Sequence, residues 1–391
     1  MGIEIGLQLF TNENSFPLPD HLKKQDDAMP VRVPSKFDTS SLSDLVNHLI
    51  GMNESFDFLV NGQFLRTTLD EYLAETKTSP EQLLNVEYIL AVTKPKLSKQ
   101  YGTDEWIKSL HFTNEKLYSG SFDGVLRVHS ESSSVVATHE NTNINKIQSN
   151  TAAIVTAGQN GEIRFWDKNS LELKAIGIGH DSSVESLTCT DAYTVSGNFD
   201  GNILIYKTPK FLQEASEAIQ LSHKKRKVSS NKIQPSLVLN DHSGCVSSLV
   251  HINSTLYSGG WDHTIRKYDS EYSLQDTCKF DTVVTSLCGE TSIISGHSDG
   301  VVRSFDFKSG QSTHEFVKQP NQISSVQLKR NIVASACYDG NLRFFDIRNT
   351  QSILYTVQIA KNKKLFDMEW YDRKIAVAGE CADLFIIDAP Q

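Results

Sequence analysis

The sequence predicts a mainly β protein: a seven-bladed β-propeller preceded by a small α+β domain. Three observations support this fold class. One short pattern recurs seven times between Ser119 and Asp388, the turn residues of successive copies are mostly 37 or 40 residues apart, and residues 1–92 do not follow the pattern. Self-similarity at a period of about 40 residues is typical of propellers, whose blades are stacked copies of one supersecondary unit.

The first 92 residues have the predicted element order ββαβ(β)αβ. IEIGLQLF and MPVRVPSKF alternate as strands, and SLSDLVNHLI places its apolar side chains on one helical face, with Thr39 or Ser41 as the expected cap. FDFLVNG and QFLRT flank an Asn-Gly turn, TLDEYLAET is a second helix and NVEYILAV is a last strand. This order resembles the ubiquitin-like β-grasp fold, which we therefore expect for domain 1–92.

Residues 93–105 are predicted to be a linker with a latch strand, and residues 106–391 the propeller. The seventh repeat ends in LFIIDAPQ and supplies only three strands, so its fourth must come from elsewhere in the chain. KLSKQYG, directly before the first repeat, is the natural donor. A ring latched in this way leaves no open sheet edge between its first and last blades.

Each repeat reads small-Gly/Ala-small-x-Asp-Gly-x-aliphatic-Arg-x-aromatic-Asp. Asp-Gly between two alternating apolar runs is the strongest short signal for a β-hairpin, because glycine supplies the positive φ of the turn. Another strand such as VSSLVHI precedes each hairpin and a more variable one follows, which gives four antiparallel strands per blade. The turn residues that we predict to be structural are Asp123, Asp200, Asp262, Asp299 and Asp339, with Asn160 in the second repeat.

One interval between turn residues is 62 residues long and contains a basic insertion, residues 206–235. It holds KKRKV at Lys224–Val228. Short basic runs in exposed loops indicate nuclear-import signals or nucleic-acid patches. We predict an import signal formed by Lys224, Lys225, Arg226 and Lys227. The alternative is an ordinary charged surface loop.

The net charge of −9 is concentrated at the front of the chain, where residues 1–92 hold 14 Asp and Glu against 6 Lys and Arg. An acidic head suits a cationic or metal-bearing partner better than bare nucleic acid, although an acidic surface that serves solubility alone is the simpler interpretation. No apolar run reaches the length of a membrane span. The six cysteines form no C-x-x-C pair and read as small buried hydrophobes, so we expect no metal site within the chain and no cofactor.

The sequence indicates a binding protein and not an enzyme. The histidines show no metal-ligand spacing. The glycines serve hairpins and form no phosphate-binding loop. His263 and His297 lie beside blade turns, where a packing or rim role is expected.

RFWD at Arg164–Asp167 and the pair Gly179-His180 resemble the WD-repeat family. In that family a His, a Ser or Thr, the turn Asp and a Trp form a hydrogen-bonded chain inside each blade. The resemblance implies two such chains here, with Tyr in place of Trp: His180, Ser196, Asp200 and Tyr206, and His242, Ser258, Asp262 and Tyr268.

FDFLVNGQFLRTTLDEYL and LLNVEYILAV resemble the NLE domain, and a β-grasp head on a propeller is a restricted combination. The chain is similar over its whole length to the seven-bladed NLE group of ribosome-assembly proteins. That resemblance implies a Bop-type WD-repeat protein and pescadillo as partners in the PeBoW complex, and association with precursors of the large (60S) ribosomal subunit. It also implies release by midasin, an AAA ATPase, and location in the nucleolus and nucleoplasm.

The resemblance further implies that one head carboxylate completes the Mg²⁺ coordination at the adhesion site of midasin. In the family this acid precedes the last head strand, and SPEQLLNVEY puts Glu81 there. Mg²⁺ prefers six oxygen ligands, so a partner carboxylate can fill an open position. The residues alone leave another interpretation open, in which Ser79-Pro80-Glu81 begins a helix. Asp70, Glu71 and Glu75 read as a solvated helix face.

Two other binding functions stay open at this stage. A Notchless-type factor carries the same head with eight blades, and a ubiquitin-ligase substrate receptor usually carries a recruiting module such as an F-box. The sequence does not decide whether the propeller contacts RNA directly, nor which of its faces binds a partner.

Overall fold

A computed structural model describes residues 4–11, 30–113, 116–129, 135–139, 142–208, 231–290, 292–307 and 311–390. The chain divides into two compact units. The first holds the residues up to Lys94 together with the short segments 347–352 and 390–391, and the second holds Pro95–Asp346 and Ile353–Ala389. The predicted fold class, mainly β with a propeller and a small α+β domain, is confirmed.

The first unit contains a five-stranded mixed sheet and two helices. Its elements are β1 Glu4–Phe10, β2 Pro30–Pro34, α1 Thr39–Ile50, β3 Phe56–Val60, β4 Gln63–Phe64, α2 Leu69–Thr76 and β5 Leu84–Leu90. The strand order is β2-β1-β5-β3-β4, with β1 and β5 parallel in the middle and the other pairs antiparallel. This arrangement is the β-grasp topology that the element order predicted.

Helix α1 packs because its apolar residues recur on one face, and Leu42 and Val46 on that face are buried. The cap predicted at Thr39 or Ser41 is wrong by position: Asp38 is the N-cap, and its Oδ1 accepts a hydrogen bond from the Ser41 backbone N–H at 2.9 Å. A carboxylate caps as well as a hydroxyl does and also faces the positive end of the helix dipole.

The second unit begins with β6 (Lys96–Gly102) and continues as seven blades, six with four strands and one with five. Blades one to three contain β7 Ile107–Phe112, β8 Leu117–Ser121, β9 Val125–His129 and β10 Val135–Thr138; β11 Ile144–Ser149, β12 Ala153–Gly158, β13 Ile163–Asp167 and β14 Leu173–Gly177; β15 Val184–Cys189, β16 Tyr193–Asn198, β17 Ile203–Lys207 and, after the short β18 Asn231–Ile233, β19 Leu237–Leu239.

The remaining blades follow at regular intervals. Blades four to seven contain β20 Val246–Ile252, β21 Thr255–Gly260, β22 Thr264–Tyr268 and β23 Leu274–Lys279; β24 Val284–Gly289, β25 Ile293–His297, β26 Val302–Asp306 and β27 Gln311–Glu315; β28 Ile323–Lys329, β29 Ile332–Cys337, β30 Asn341–Asp346 and β31 Tyr355–Gln358; β32 Leu365–Tyr371, β33 Lys374–Gly379 and β34 Asp383–Asp388.

The blades form a closed ring. The first, inner strand of every blade contacts the inner strand of the next, and β32 of blade seven contacts β7 of blade one. The N-terminal strand β6 pairs antiparallel with β34 and completes the seventh sheet, with Asp383 opposite Gly102 and Asp388 opposite Lys96. Strands from the two ends of the unit therefore share one sheet.

The basic insertion adds a strand that the sequence did not predict. After residues 209–230, which lie outside the described part of the chain, β18 pairs in parallel with β14 and extends blade two to five strands. The chain then crosses to blade three, where β19 is the outer strand. The segment from Asn231 to Leu239 therefore fastens two neighbouring blades at their outer edge.

Candidate interaction surfaces

Glu81 lies in the short connection between α2 and β5 of the first unit. The Gln82 N–H donates to the Ser79 carbonyl at 3.1 Å, and the Glu81 N–H donates to Ser79 Oγ at 3.4 Å. These bonds make a turn of Ser79–Gln82 and exclude the alternative in which Glu81 begins a helix. The Glu81 side chain is exposed, and within the described part of the chain its carboxylate makes no hydrogen bond or ion pair.

The surface beside Glu81 is apolar. Leu83 is 41% exposed and lies over β1, where a Cβ on Gly6 would meet Leu83 Cδ1 at 3.1 Å. The next residue, Leu84, is buried and starts β5 in register with Leu7, so the loop is anchored at one end. An uncommitted carboxylate next to an exposed leucine on an anchored turn is an arrangement suited to contact with another protein.

Four of the five predicted turn aspartates form an ion pair in the structure with an arginine four residues later. Asp123, Asp299, Asp339 and Asp262 form ion pairs with Arg127, Arg303, Arg343 and Arg266. Asp200 differs because position 204 is leucine, and within the described residues its side chain makes no ion pair. At the glycine position of the turns φ is positive, as in Gly124 at +76°, and in blade four His263 takes this conformation at +65°.

The WD-repeat resemblance implied two hydrogen-bonded chains, and the one in blade four is mostly present. In blade four, His242 Nε2 lies 2.6 Å from Ser258 Oγ, and His242 Nδ1 lies 2.9 Å from Asp262 Oδ2. Burial acts to raise the pKa of Asp262, but hydrogen bonds from His242 and Thr264 hold that pKa well below its usual range. Asp262 therefore joins the loop before blade four to the hairpin turn.

The other implied chain is only partly formed. In blade three His180 Nε2 lies 2.7 Å from Ser196 Oγ, but the Tyr206 hydroxyl donates to the Ile178 carbonyl at 3.1 Å and Asp200 does not take part. The Asn202 N–H donates to Asn198 Oδ1 at 2.8 Å and not to Asp200, and the Asp200 side chain is exposed.

We expect Asp262→Ala to lower the free energy of unfolding by about 2 kcal/mol, because it removes a hydrogen-bonded carboxylate whose partners are buried. Asp200→Ala is the matched control, since it removes an exposed carboxylate at the same place in another blade; we expect a change within about 0.5 kcal/mol. Denaturant titrations of both variants at pH 7 measure the difference. The depressed pKa of Asp262 means that its contribution is present above a pH of about 4 and is lost as the pH falls further. Equal losses for the two variants would contradict this role of Asp262.

Sequence reasoning missed two further members of these chains. In blade two His139 Nε2 lies 2.7 Å from Thr156 Oγ1, which also accepts from Trp166 Nε1 at 2.8 Å. In blade six Gln319 Nε2 donates to Ser335 Oγ at 2.6 Å. A spacing of 16 or 17 residues between the two partners is common to His139, His180, His242 and Gln319, and this signal was available in the sequence.

Burial lowers the pKa of His139 to about 3 and that of His180 to about 4. His297, predicted to have a packing or rim role, is fully buried with its Nε2 2.9 Å from Ser295 Oγ. These imidazoles are neutral hydrogen-bonding groups inside blades. Among the described residues, no group of three or more His, Cys, Asp or Glu is placed to hold a metal ion.

A serine recurs at one position of the inner strands and links the blades. At this position lie Ser109, Ser186, Ser248, Ser286 and Ser325, each beside a shift in strand register. Ser109 Oγ accepts from the Ile147 N–H of the next blade at 3.0 Å, and Ser248 Oγ accepts from the Leu287 N–H at 2.9 Å. The repeated hydroxyl therefore bonds each inner strand to its neighbour.

Blades two and seven replace this serine with Lys146 and Asp367. Lys146 Nζ lies 2.8 Å from Asp367 Oδ2, which also accepts from the Leu110 N–H of blade one at 2.9 Å. Burial acts to lower the pKa of Lys146, but the Asp367 carboxylate raises it above its ordinary value. The Asp367 side chain is only 5% exposed. This ion pair, which we call the seam pair, crosses blades seven, one and two where the ring closes.

A channel of about 700 Å³ runs along the inner strands. Its lining includes the seam pair, Lys108 and Glu185, and Lys108 Nζ lies 2.9 Å from Glu185 Oε2. Opposite charges balance one another along this wall, so the channel itself has no strong electrostatic preference for a ligand.

Aromatic side chains surround the channel mouth on the ring face that carries the hairpin turns, here called the turn face. Trp106, Phe122, Phe366 and Tyr338 form one cluster, with successive ring centroids 5.8–6.1 Å apart, and we call it the turn-face aromatic patch. Phe199 and Trp261 form a second pair, and each is 49% exposed. The backbone N–H of Phe122 donates to the Trp106 carbonyl and that of Trp261 to Cys245, which fixes these residues on the surface. Exposed aromatics of this kind are enriched at protein interfaces.

The remaining sequence predictions concern the nuclear-import signal and membrane spans. The import signal Lys224–Lys227 falls outside the described residues. No helix in the described ranges is long and apolar enough to cross a membrane.

Comparison with known protein families finds one match in each unit. Residues 8–73 match the NLE (NUC135) domain, and residues 233–269 match the WD domain, G-beta repeat. The chain therefore contains an NLE domain and a WD repeat. The NLE match lies in the β-grasp unit, and the WD match spans β18 to the end of the blade-four hairpin.

Ribosome biogenesis proteins of three organisms are similar to this chain over most of their length. The ribosome biogenesis protein WDR12 homolog of Arabidopsis thaliana is 28% identical over 89% of this chain and 90% of its own. The WDR12 homolog of Chlamydomonas reinhardtii is 27% identical over 85% of both chains, and ribosome biogenesis protein ytm1 of Schizosaccharomyces pombe is 26% identical over 87% and 88%.

A solved structure supports the fold. The computationally designed Ika8 protein matches with a TM-score of 0.56 at 19% identity, covering 75% of this chain and 99% of its own. At this identity the likeness concerns the fold alone.

Proposed function

We propose that the chain is a non-catalytic scaffold in the biogenesis of the large (60S) ribosomal subunit and the processing of its pre-rRNA. The observation that carries this proposal is the similarity, over both units together, to proteins named ribosome biogenesis protein WDR12 or ytm1. A closed ring of hairpin-bearing blades offers two broad surfaces on a rigid frame, which suits assembly work. We place the protein in the nucleolus and nucleoplasm.

The ring, in this proposal, binds a Bop-type WD-repeat protein in a complex that also contains pescadillo. The turn-face aromatic patch supports a protein partner there, because Trp106 is 43% exposed and Phe122 packs edge to face against it. Such anchors commonly contribute most of the binding energy of an interface. A Notchless-type factor, the main alternative, would need an eighth blade, and this ring closes with seven. The ubiquitin-ligase alternative would require co-purification with a cullin.

The head, in this proposal, presents Glu81 to the Mg²⁺ of the midasin adhesion site, and ATP-driven pulling then releases the protein from the particle. An exposed carboxylate that has no partner among the described residues supports this role, because its lone pairs are available to a foreign cation. Leu83 offers an apolar contact beside it.

Affinity purification of the tagged full chain from growing cells tests the assembly role. We expect the Bop-type protein, pescadillo and large-subunit rRNA precursors in the eluate, identified by mass spectrometry and RNA hybridisation. Recovery of a cullin without ribosomal precursors would refute the proposal and favour the ligase receptor.

We expect deletion of residues 224–227 to slow nuclear entry, because importins bind extended basic segments. Live imaging of a fluorescent fusion measures the ratio of nuclear to cytoplasmic signal. Replacing Lys361, Lys363 and Lys364 with serine is the control, since it removes three positive charges elsewhere. Unchanged entry of the deletion variant would assign import to another signal or to a partner.

A further inference from the structure

A basic and aromatic surface lies on the ring face opposite to the turn face, where the first and second strands of each blade connect; we call this the loop face. It is formed by the ends of the inner strands of blades six, seven and one. We define the basic aromatic patch as Phe112, Lys329, Arg330, Tyr371, Arg373 and Lys374.

The patch is held together by contacts between blades. Lys329 Nζ donates to the Asp372 carbonyl at 3.1 Å, which joins the turn of blade six to that of blade seven. The Trp370 indole N–H donates to the same carbonyl at 3.2 Å. The rings of Phe112 and Tyr371 stack at 5.8 Å with an interplanar angle of 30°, which joins blade seven to blade one. The side chains therefore lie on one surface although they come from three blades.

The patch exposes cations together with part of an aromatic side chain. Arg330, Arg373 and Lys374 are exposed, and Tyr371 is 39% exposed. Lys96, opposite Asp388 in the closing sheet, adds a further cation at this end of blade seven. The opposing acids are Asp372 and Asp388, while Glu369 is engaged with His111 at 3.3 Å inside the channel. Among the residues that the structure describes on this surface, five cations against two acids leave an excess of positive charge, in a protein that is acidic as a whole.

We propose that the basic aromatic patch binds single-stranded RNA, and that through it the scaffold contacts pre-rRNA directly. This inference rests on the proposed role in ribosome assembly for the source of the RNA. Cations that contact phosphates and an aromatic ring that stacks on a base are the two components of sequence-tolerant single-strand binding. An anionic peptide would use the cations but would gain nothing specific from the stacked Tyr371 ring.

The turn face provides a contrast that favours this choice. Its aromatic patch also lies near lysines, Lys361, Lys363 and Lys364, but Lys364 covers the Tyr338 ring at 5.6 Å and lies 3.9 Å from Glu380. Asp104 and Glu105 directly precede Trp106 in the sequence, so cations and acids balance there. The loop-face patch has the charge excess that a polyanion needs, and the turn face does not.

Fluorescence anisotropy of the purified full chain with a labelled single-stranded RNA of about 12 nucleotides tests the proposal. We expect Tyr371→Ala to weaken binding by about tenfold, and Tyr371→Phe to bind as the unmodified chain does, because phenylalanine keeps the stacking surface. Combined Arg330→Ser and Arg373→Ser should weaken binding and lower the slope of log K against log salt by about 0.7 for each phosphate that is no longer neutralised. All variants retain Lys224–Lys227, so that segment contributes equally to each.

The control variant is Lys361→Ser with Lys363→Ser, which removes two positive charges from the turn face, and it should leave the affinity and the salt slope unchanged. Double-stranded RNA of the same sequence should compete weakly, since its bases are not free to stack. Equal affinity of the Arg330/Arg373 variant and the unmodified chain would overturn the proposal. So would equal competition by polyglutamate with no effect of Tyr371→Ala, a result that assigns the patch to an acidic protein segment. Because naked RNA is the probe, failure here leaves the assembly role to its own co-purification test.

Discussion

We expect Glu81→Gln to weaken binding of the full chain to the midasin adhesion domain in magnesium buffer by at least about 30-fold. The substitution keeps the shape of the side chain and removes the negative charge that strengthens its coordination to Mg²⁺. Loss of one partner from a desolvated charged contact commonly has an effect of this size, because the remaining charge stays buried and unpaired. Isothermal titration calorimetry with and without EDTA measures the effect. In EDTA the variant and the unmodified chain should bind equally weakly.

Glu75→Gln is the matched control for this experiment. Glu75 is an exposed carboxylate on α2 of the same unit, so the control makes the same change in net charge. We expect it to bind like the unmodified chain. If the two variants lose affinity equally, the acidity of the head as a whole attracts midasin and Glu81 has no special part. A circular dichroism spectrum of each variant should be unchanged, since Glu81 lies on an exposed turn.

Lys146→Ser lowers the free energy of unfolding by about 3–5 kcal/mol, because it leaves Asp367 charged, 5% exposed and without its cation. Asp367→Ser should cost less. Serine can still accept from the Leu110 N–H, as Ser109 accepts from Ile147, and the Lys146 side chain is 28% exposed and keeps some access to water.

The double variant Lys146→Ser with Asp367→Ser distinguishes the ion pair from the loss of packing. It gives blades two and seven the serine that the other five blades carry, so we expect stability within about 1 kcal/mol of the unmodified chain. Denaturant titration followed by tryptophan fluorescence measures all three variants. A double variant less stable than Lys146→Ser alone would contradict the role of the seam pair. The raised pKa of Lys146 makes its contribution constant through neutral pH and lost only as the pH rises through that pKa.

The blades were predictable because their signals are local. Asp-Gly turns, alternating strands and the 16-residue spacing from His242 to Ser258 all lie within one repeat. The latch was predictable for a different reason, since a ring with a three-stranded last blade requires a donor strand. The head topology followed from the order of its elements, although the cap of α1 was displaced to Asp38, one residue outside the predicted pair.

The seam pair was not predictable from local pattern, because Lys146 and Asp367 are 221 residues apart and meet only when the ring closes. The same holds for the stack of Phe112 on Tyr371 and for the parallel addition of β18 to blade two. The role of Glu81 stays a prediction that comes from the likeness of SPEQLLNVEY to the NLE domain, since its residues alone also fitted a helix start. The exposed turn on which Glu81 lies could be seen only in the folded loop.

The distribution of the tagged chain on a sucrose gradient tests most directly whether one chain both holds the large-subunit precursor and presents the carboxylate for its own release. We predict that the unmodified chain divides between the particle and the free pool, and that Glu81→Gln accumulates on the particle while Glu75→Gln does not. A Glu81→Gln chain that distributes as the unmodified chain does, or that is missing from the particle fractions, would contradict this account.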